Sequence, residues 1–242
     1  MDDGMGAAPI ESGPVTAEPT LPNLMVRFVQ VLTSPAKLFD ALGGKPRWLG
    51  ALLLAVGVGI AIVALIPLEL IEEMMMAQVP ADATPEQMEA MESQAGLAGV
   101  LRWLGPAVFQ PIMLLIIAVF LLLVFNLLMG GEASFKQLFA FTTHANLIGI
   151  VGGLVTLPLI LARGSLDTAM SLGLLAPGMD SGSFAFKFLN GLNLFGIWTA
   201  VVLGIAMSRL YPKVSTGTAV GILLGTYVVI KFIGAAIGGL AG

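Results

Sequence analysis

Residues 104–129 read LGPAVFQPIMLLIIAVFLLLVFNLLM, 26 consecutive residues without a charged side chain. At 1.5 Å per residue a helix of that length reaches about 39 Å, more than the roughly 30 Å of a bilayer's hydrocarbon core. Four further runs are predominantly apolar, at 48–71, 138–162, 186–210 and 216–240, and each is long enough to span. The expected fold is therefore an all-α integral membrane protein, a bundle of five transmembrane helices. Composition agrees: of 242 residues 57% are hydrophobic and 11% charged, with mean hydropathy +0.96, whereas soluble domains average about 45–50% and 25%.

Charge and cysteine content exclude several classes. The net charge is −4 and the pI about 4.9, so no basic stripe neutralises phosphates and nucleic acid is not an expected partner. With Cys 0 there is no disulfide, thiolate metal site or cysteine nucleophile. No G-x-S-x-G, P-loop or H-E-x-x-H pattern occurs, and His144 is the only histidine. The expectation is a noncatalytic protein with no cofactor and no metal. Glu86, Glu89 and Glu92 recur every third residue, a spacing read as a solvated helix face rather than a cation site.

Outside the spans the chain divides simply. Residues 1–22 are rich in Pro, Gly, Ala and acidic side chains without periodicity, as in a disordered tail, and they lack the basic start of a secretory signal. The first span is expected to be an uncleaved anchor, placing the protein in the inner membrane if it is bacterial. Residues 23–47 form an amphipathic segment, broken at Pro35 and stopped at Gly43 and Gly44. Phe28 and Phe39 are expected to supply apolar contact with lipid or a partner, and Lys37, Lys45 and Arg47 attraction to anionic headgroups. The 48–242 domain then carries the spans and an acidic loop at 72–103. Within that loop Thr84, Pro85 and Gln87 predict a helix start closed by a capping box.

Basic residues orient the bundle. Arg27, Lys37, Lys45, Arg47, Lys136, Arg209 and Lys213 fall on one side of five spans, and Arg102, Arg163 and Lys187 on the other. Seven against three puts the N-terminus in the cytoplasm and the C-terminus outside.

Polar residues inside spans are the candidate sites. Lys231 lies about 15 residues into the last span, roughly 22 Å along it, where an unpaired cation costs about 2.5–3.5 kcal/mol. Glu69, Asn190 and Asn193 are expected near the same outer level, so an outer cluster with Lys231 is one reading and a lysine snorkelling to headgroups the other. An inner cluster is expected from Asn126, His144 and Asn146. Small residues four apart, among them Gly149 and Gly153, Gly221 and Gly225, and Gly234 and Gly238, mark expected helix-packing seams.

Three stretches carry a family resemblance: SPAKLFDAL before the first span, GGEASFKQLFAFTTHANLIGIVGGL leading into the third, and FLNGLNLFGIWTAVVLGIAMSRLYPK through the fourth. Together they resemble bacterial members of the Yip family, relatives of the Rab-GTPase-interacting membrane proteins, over residues 23–240. Phe135, Lys136 and Gln137, then Asn193, Leu194, Phe195 and Trp198, are the most specific elements. The resemblance implies five spans with a cytosolic N-terminus, the topology reached from hydropathy and charge. Two features depart from the family. Leu147, Ile148 and Gly149 stand where members often place a proline, and the acidic-Leu-Tyr-Gly-Pro motif of eukaryotic members is absent, so Rab binding is not carried over.

Two functions follow as expectations. One is a membrane scaffold or adaptor with lipid contacts and a membrane or cytoplasmic protein partner. The other is a small transporter or channel, a homo-oligomer using the Lys231, Glu69 and asparagine cluster.

Overall fold

The computed structural model describes residues 21–76, 79, 83–164, 170–180 and 182–240. The tail expected at 1–22 lies outside these residues except for Leu21 and Pro22, as does part of the acidic loop. The described chain is helical, with one isolated antiparallel bridge between Ser171 and Asn193.

Two short helices precede the first long one. In α1 (Leu24–Thr33) the Asn23 side chain accepts from the Val26 N–H at 2.9 Å, satisfying one of the free donors of the first turn. Pro35 cannot extend that helix but fits the first turn of α2 (Pro35–Gly44), so the chain bends there as expected. The inner faces of both helices enter the main core through Val31, Leu38, Phe39 and Leu42.

The first apolar helix, α3 (Leu49–Leu65), is shorter than the expected 48–71. Pro67 is the reason: the residue before a proline is pushed out of the helical region, and Ile66 is extended. Glu69 consequently belongs to a separate helix, α4 (Leu68–Met76). The capping box appears at α5 (Pro85–Gly96), where Gln87 N donates to Thr84 Oγ1 at 3.3 Å and Thr84 N to Gln87 Oε1 at 2.8 Å.

The second apolar run is α6 (Ala98–Leu128). It widens to π-helical geometry at Gly105–Phe109, just before Pro111, whose ring has no N–H to donate; there Gln110 N reaches back to Gly105 O. It widens again at Leu122–Leu128. The third, α7 (Phe135–Arg163), opens with a second capping box between Ser134 and Gln137 and stops at Gly164 with φ 61°, a left-handed cap suited to glycine.

The fourth run is interrupted, which corrects the continuous helix expected at 186–210. A short α8 (Phe184–Gly191) ends, Leu192 and Asn193 are non-helical, and α9 (Leu194–Leu210) begins. Two forces hold the break open. Asn193 Oδ1 accepts from Gly196 N at 2.6 Å, a local bond that competes with helix continuation, and the 170–172 strand-like stretch pairs with it through Leu172 N to Leu192 O (3.0 Å) and Leu194 N to Met170 O (2.9 Å). The last helix is α10 (Thr216–Leu240).

Ala98–Leu128, Phe135–Arg163 and Thr216–Gly238 are long and apolar enough to cross a membrane. The apolar helices α3 and α9, 17 residues each, sit at the lower limit of the roughly 17–25 residues that suffice. α9 packs on α10, α7 and α2, and α3 on α6 and α7. The α9–α10 approach is made possible by Gly204: a Cβ there would meet Val220 Cα at 2.6 Å. Gly152 and Gly153 serve likewise, against Phe195 and Ile62. Among the described residues of one chain, the seam expected along α10 is not formed. Gly221, Gly225 and Gly234 have nothing within 4 Å of an added Cβ, Gly238 has only Lys187 Cδ at 3.9 Å, and Gly149 only Asn146 Oδ1 at 3.9 Å. Spacing identifies a smooth helix face but not the neighbour it meets.

Candidate functional site

One end of the bundle is clasped by polar contacts between elements far apart in sequence. Arg27 is 7% exposed on α1 and reaches His144, fully buried on α7, with Nη1 to Nε2 at 3.0 Å. His144 Nδ1 lies 2.7 Å from Ala140 O. A carbonyl can only accept, so Nδ1 carries the proton and Nε2 presents its lone pair to the guanidinium. Arg27 Nη1 also donates to Arg47 O at 3.3 Å, while its Nε has no partner. Among the described residues no carboxylate pairs with Arg27. Burial, and then the neighbouring Arg47 charge, hold its guanidinium below the ordinary value. The position was legible: Leu24, Arg27, Phe28 and Val31 form one helical stripe, and a cation in an apolar stripe signals a buried partner.

Three further groups of contacts close the same end. Gln137 Nε2 donates to Gly43 O at 2.8 Å, and Arg209 grips Asp40 with Nε and Nη2 at 2.7 and 2.9 Å. Tyr211 donates to Asn126 Oδ1 at 2.6 Å, while Asn126 also bonds both N and O of Ala133 at 3.2 and 2.7 Å, fixing the link between α6 and α7. Burial pushes the Tyr211 hydroxyl up to about 12.

The expected inner cluster is thereby dissolved into separate pairs. Asn126 belongs with Tyr211, His144 with Arg27, and Asn146 turns toward a cavity. Phe39 is corrected too: expected to face lipid or a partner, it is fully buried 4.8 Å from the Phe141 ring, and Phe28 packs against the core. An interfacial helix has two apolar neighbours, bundle and membrane, and periodicity does not tell them apart. The outward apolar face is instead Met25, Val26 and Val29, exposed by 67%, 42% and 53%. Lys37, Lys45 and Arg47 are exposed.

At the other end the expected outer cluster does not assemble. Asn190 accepts from Ser171 Oγ at 2.7 Å, and Asn193 N donates to the Tyr227 hydroxyl at 3.2 Å. Lys231 Nζ sits 5.6 Å above the Tyr227 ring, and no ion pair joins it to Glu69, which is exposed on α4. Glu69 lies beyond the break after Leu65, on a helix separate from the first apolar one. Among the described residues no group of three acidic or histidine side chains could hold a metal ion.

Between the ends lies a cavity of about 840 Å³ bounded by α3, α6, α7, α9 and α10. Its wall is aliphatic and glycine-rich, with Asn146, Thr156, Asn193, Thr199, Thr226 and Tyr227 as its polar members. Thr199 and Thr226 spend their hydroxyl protons on their own helices, at Phe195 O (2.7 Å) and Ile222 O (2.8 Å). Asn146 Nδ2 is buried without a partner.

These helices and this lining define a multi-pass integral membrane protein, not a soluble domain. The family model described as the Yip1 domain matches residues 29–238, and the chain belongs to that family of membrane proteins. Comparison with curated proteins and with solved structures gives no match.

Proposed function

We propose that this chain is a noncatalytic membrane scaffold or adaptor of the Yip type, with five spans, the clasped end in the cytoplasm and the C-terminus outside. The observation that carries this reading is the double-sided α1. Its inner face is locked to α7 by Arg27 and His144, while Met25, Val26 and Val29 are held outward. A helix fixed on one side and apolar on the other offers a rigid docking strip to a partner, and it resembles an interfacial segment lying at the headgroups. The orientation rests on charge: Lys37, Lys45, Arg47, Lys136, Arg209 and Lys213 all belong to the end tied together by the Gln137, Arg209 and Arg27 bonds. The transport reading needed Lys231 beside Glu69, and that pair is not formed.

A photoreactive amino acid in place of Val29, activated in native membranes, tests the adaptor role. The expected result is a discrete protein adduct that disappears when Met25→Asp is added. Adducts with lipid alone would overturn the adaptor role and leave α1 as an interfacial anchor.

A further inference from the structure

We propose that the cavity is a lipid-binding site that takes one acyl chain of a glycerophospholipid, with the chain's ester carbonyl accepting a hydrogen bond from Asn146 Nδ2. This stands independently of the adaptor reading.

Four observations lead to that occupant. The first is the side chain of Asn146, whose Nδ2 is buried without a partner while its Oδ1 lies on the side of Gly149, a cavity-lining residue. A half-turn of the amide exchanges the two atoms and presents the donor to the cavity, where a ligand that brings an acceptor satisfies it and a pure hydrocarbon does not. The second is depth. Arg27 bonds both Arg47 O and His144 Nε2, which sets His144 level with the start of α3, and Asn146, two residues on, is about 3 Å deeper. That is the boundary of the hydrocarbon core, where the ester groups of lipids lie, rather than the bilayer centre.

The third is length. The cavity wall runs from Asn146 to Ile160 along α7, about 21 Å at 1.5 Å per residue, and one leaflet of the core is about 15 Å thick. One extended chain fits it end to end, and about 840 Å³ is within the usual range for ligand pockets, roughly 300–1,000 Å³. The fourth is access. α6 and α10 both line the cavity but do not pack extensively on each other. Met113 and Ile116 on one and Ile230 on the other are exposed by 55%, 54% and 59%, so a chain can slip in sideways between them.

The test reconstitutes the full chain in nanodiscs containing phosphatidylglycerol with a diazirine halfway along one acyl chain, and compares it with the ether-linked analogue that lacks the carbonyls. Labelled peptides are mapped by mass spectrometry. Expected is labelling of cavity-facing Phe120 and Thr226, stronger for the ester than the ether lipid by roughly threefold to tenfold, the scale of one hydrogen bond. Asn146→Leu is expected to erase that preference. Gly149→Leu, where an added Cβ meets only Asn146 Oδ1 at 3.9 Å, projects a side chain into the cavity beside Asn146 and is expected to weaken labelling there, while labelling at outward Ile233 and Ile237 persists and reports an intact bundle. Equal cavity labelling with and without Gly149→Leu, labelling at outward side chains only, or equal use of ester and ether lipids by the unaltered chain would each overturn the proposal.

Discussion

Arg27 and His144 stand 117 positions apart and meet at 3.0 Å, with the arginine donating and the histidine accepting. The contact ties the amphipathic segment to the third long helix without a carboxylate. A guanidinium buried on these terms depends on its few acceptors, because a buried charged donor stripped of one loses more than a neutral group does. His144→Phe, which keeps the ring but removes the acceptor, is expected to destabilise the protein by about 1–3 kcal/mol. Arg27→Met in the same chain is expected to restore most of that loss. A double-mutant cycle on thermal unfolding in micelles measures the coupling; additive effects would deny it.

Tyr211 supplies a pH dependence. Its hydroxyl is raised from 10.0 in the unfolded chain to about 12 by burial, so the folded state favours the neutral form. The stabilisation is complete below pH 10 and is lost as pH climbs through about 12. In a Tyr227→Phe background, where Tyr211 is the one tyrosine left, phenolate absorbance is expected to rise near pH 12 rather than 10. Tyr211→Phe is expected to flatten the alkaline fall in stability.

Two glycines of the α9–α10 pair are expected to respond with opposite sign. Gly204→Ala drives a Cβ to 2.6 Å from the Val220 backbone and is expected to cost about 1–3 kcal/mol through overpacking. Gly221→Ala meets nothing within 4 Å and is expected to gain roughly 0.5–1 kcal/mol from reduced freedom of the unfolded chain. Denaturation of both variants side by side checks the pair.

Orientation is directly measurable because the chain has Cys 0. Lys213→Cys and Asp180→Cys place single thiols at exposed positions on opposite ends. A membrane-impermeant maleimide is expected to label position 180 in right-side-out vesicles and 213 only in inverted ones. The reverse pattern would turn the topology over.

Much of the architecture could be read from residues alone. The apolar runs, the bend at Pro35 and the Thr84 and Gln87 capping box depend on local chemistry, and local chemistry is what a sequence carries. The second box, Ser134 with Gln137, has the same signature and was equally readable. What escaped depends on direction around a helix axis. Phe39 turns inward, Asn126 and His144 meet different partners while Asn146 turns to a cavity, and Gly221 faces empty space although Gly204 does not. The breaks after Leu65 and Gly191 arise from Pro67 and from the side chain of Asn193, each competing with a strong hydropathy signal that reads straight through it. The cavity has no linear signature, since five helices each give it a few ordinary residues.

Gln137 caps α7 and at the same time holds Gly43, and this has a bearing on how the chain is made. Gly43 leaves the ribosome 94 residues before its partner, and Asp40 precedes Arg209 by 169. At about 5–20 residues per second, the segment carrying Asp40 waits roughly 10–30 s for its final contact. Until α7 emerges the segment's apolar side chains have no Phe141 to pack against, and the membrane surface is the shelter within reach. The amphipathy of α1 and α2 thus serves the nascent chain first and the finished protein second.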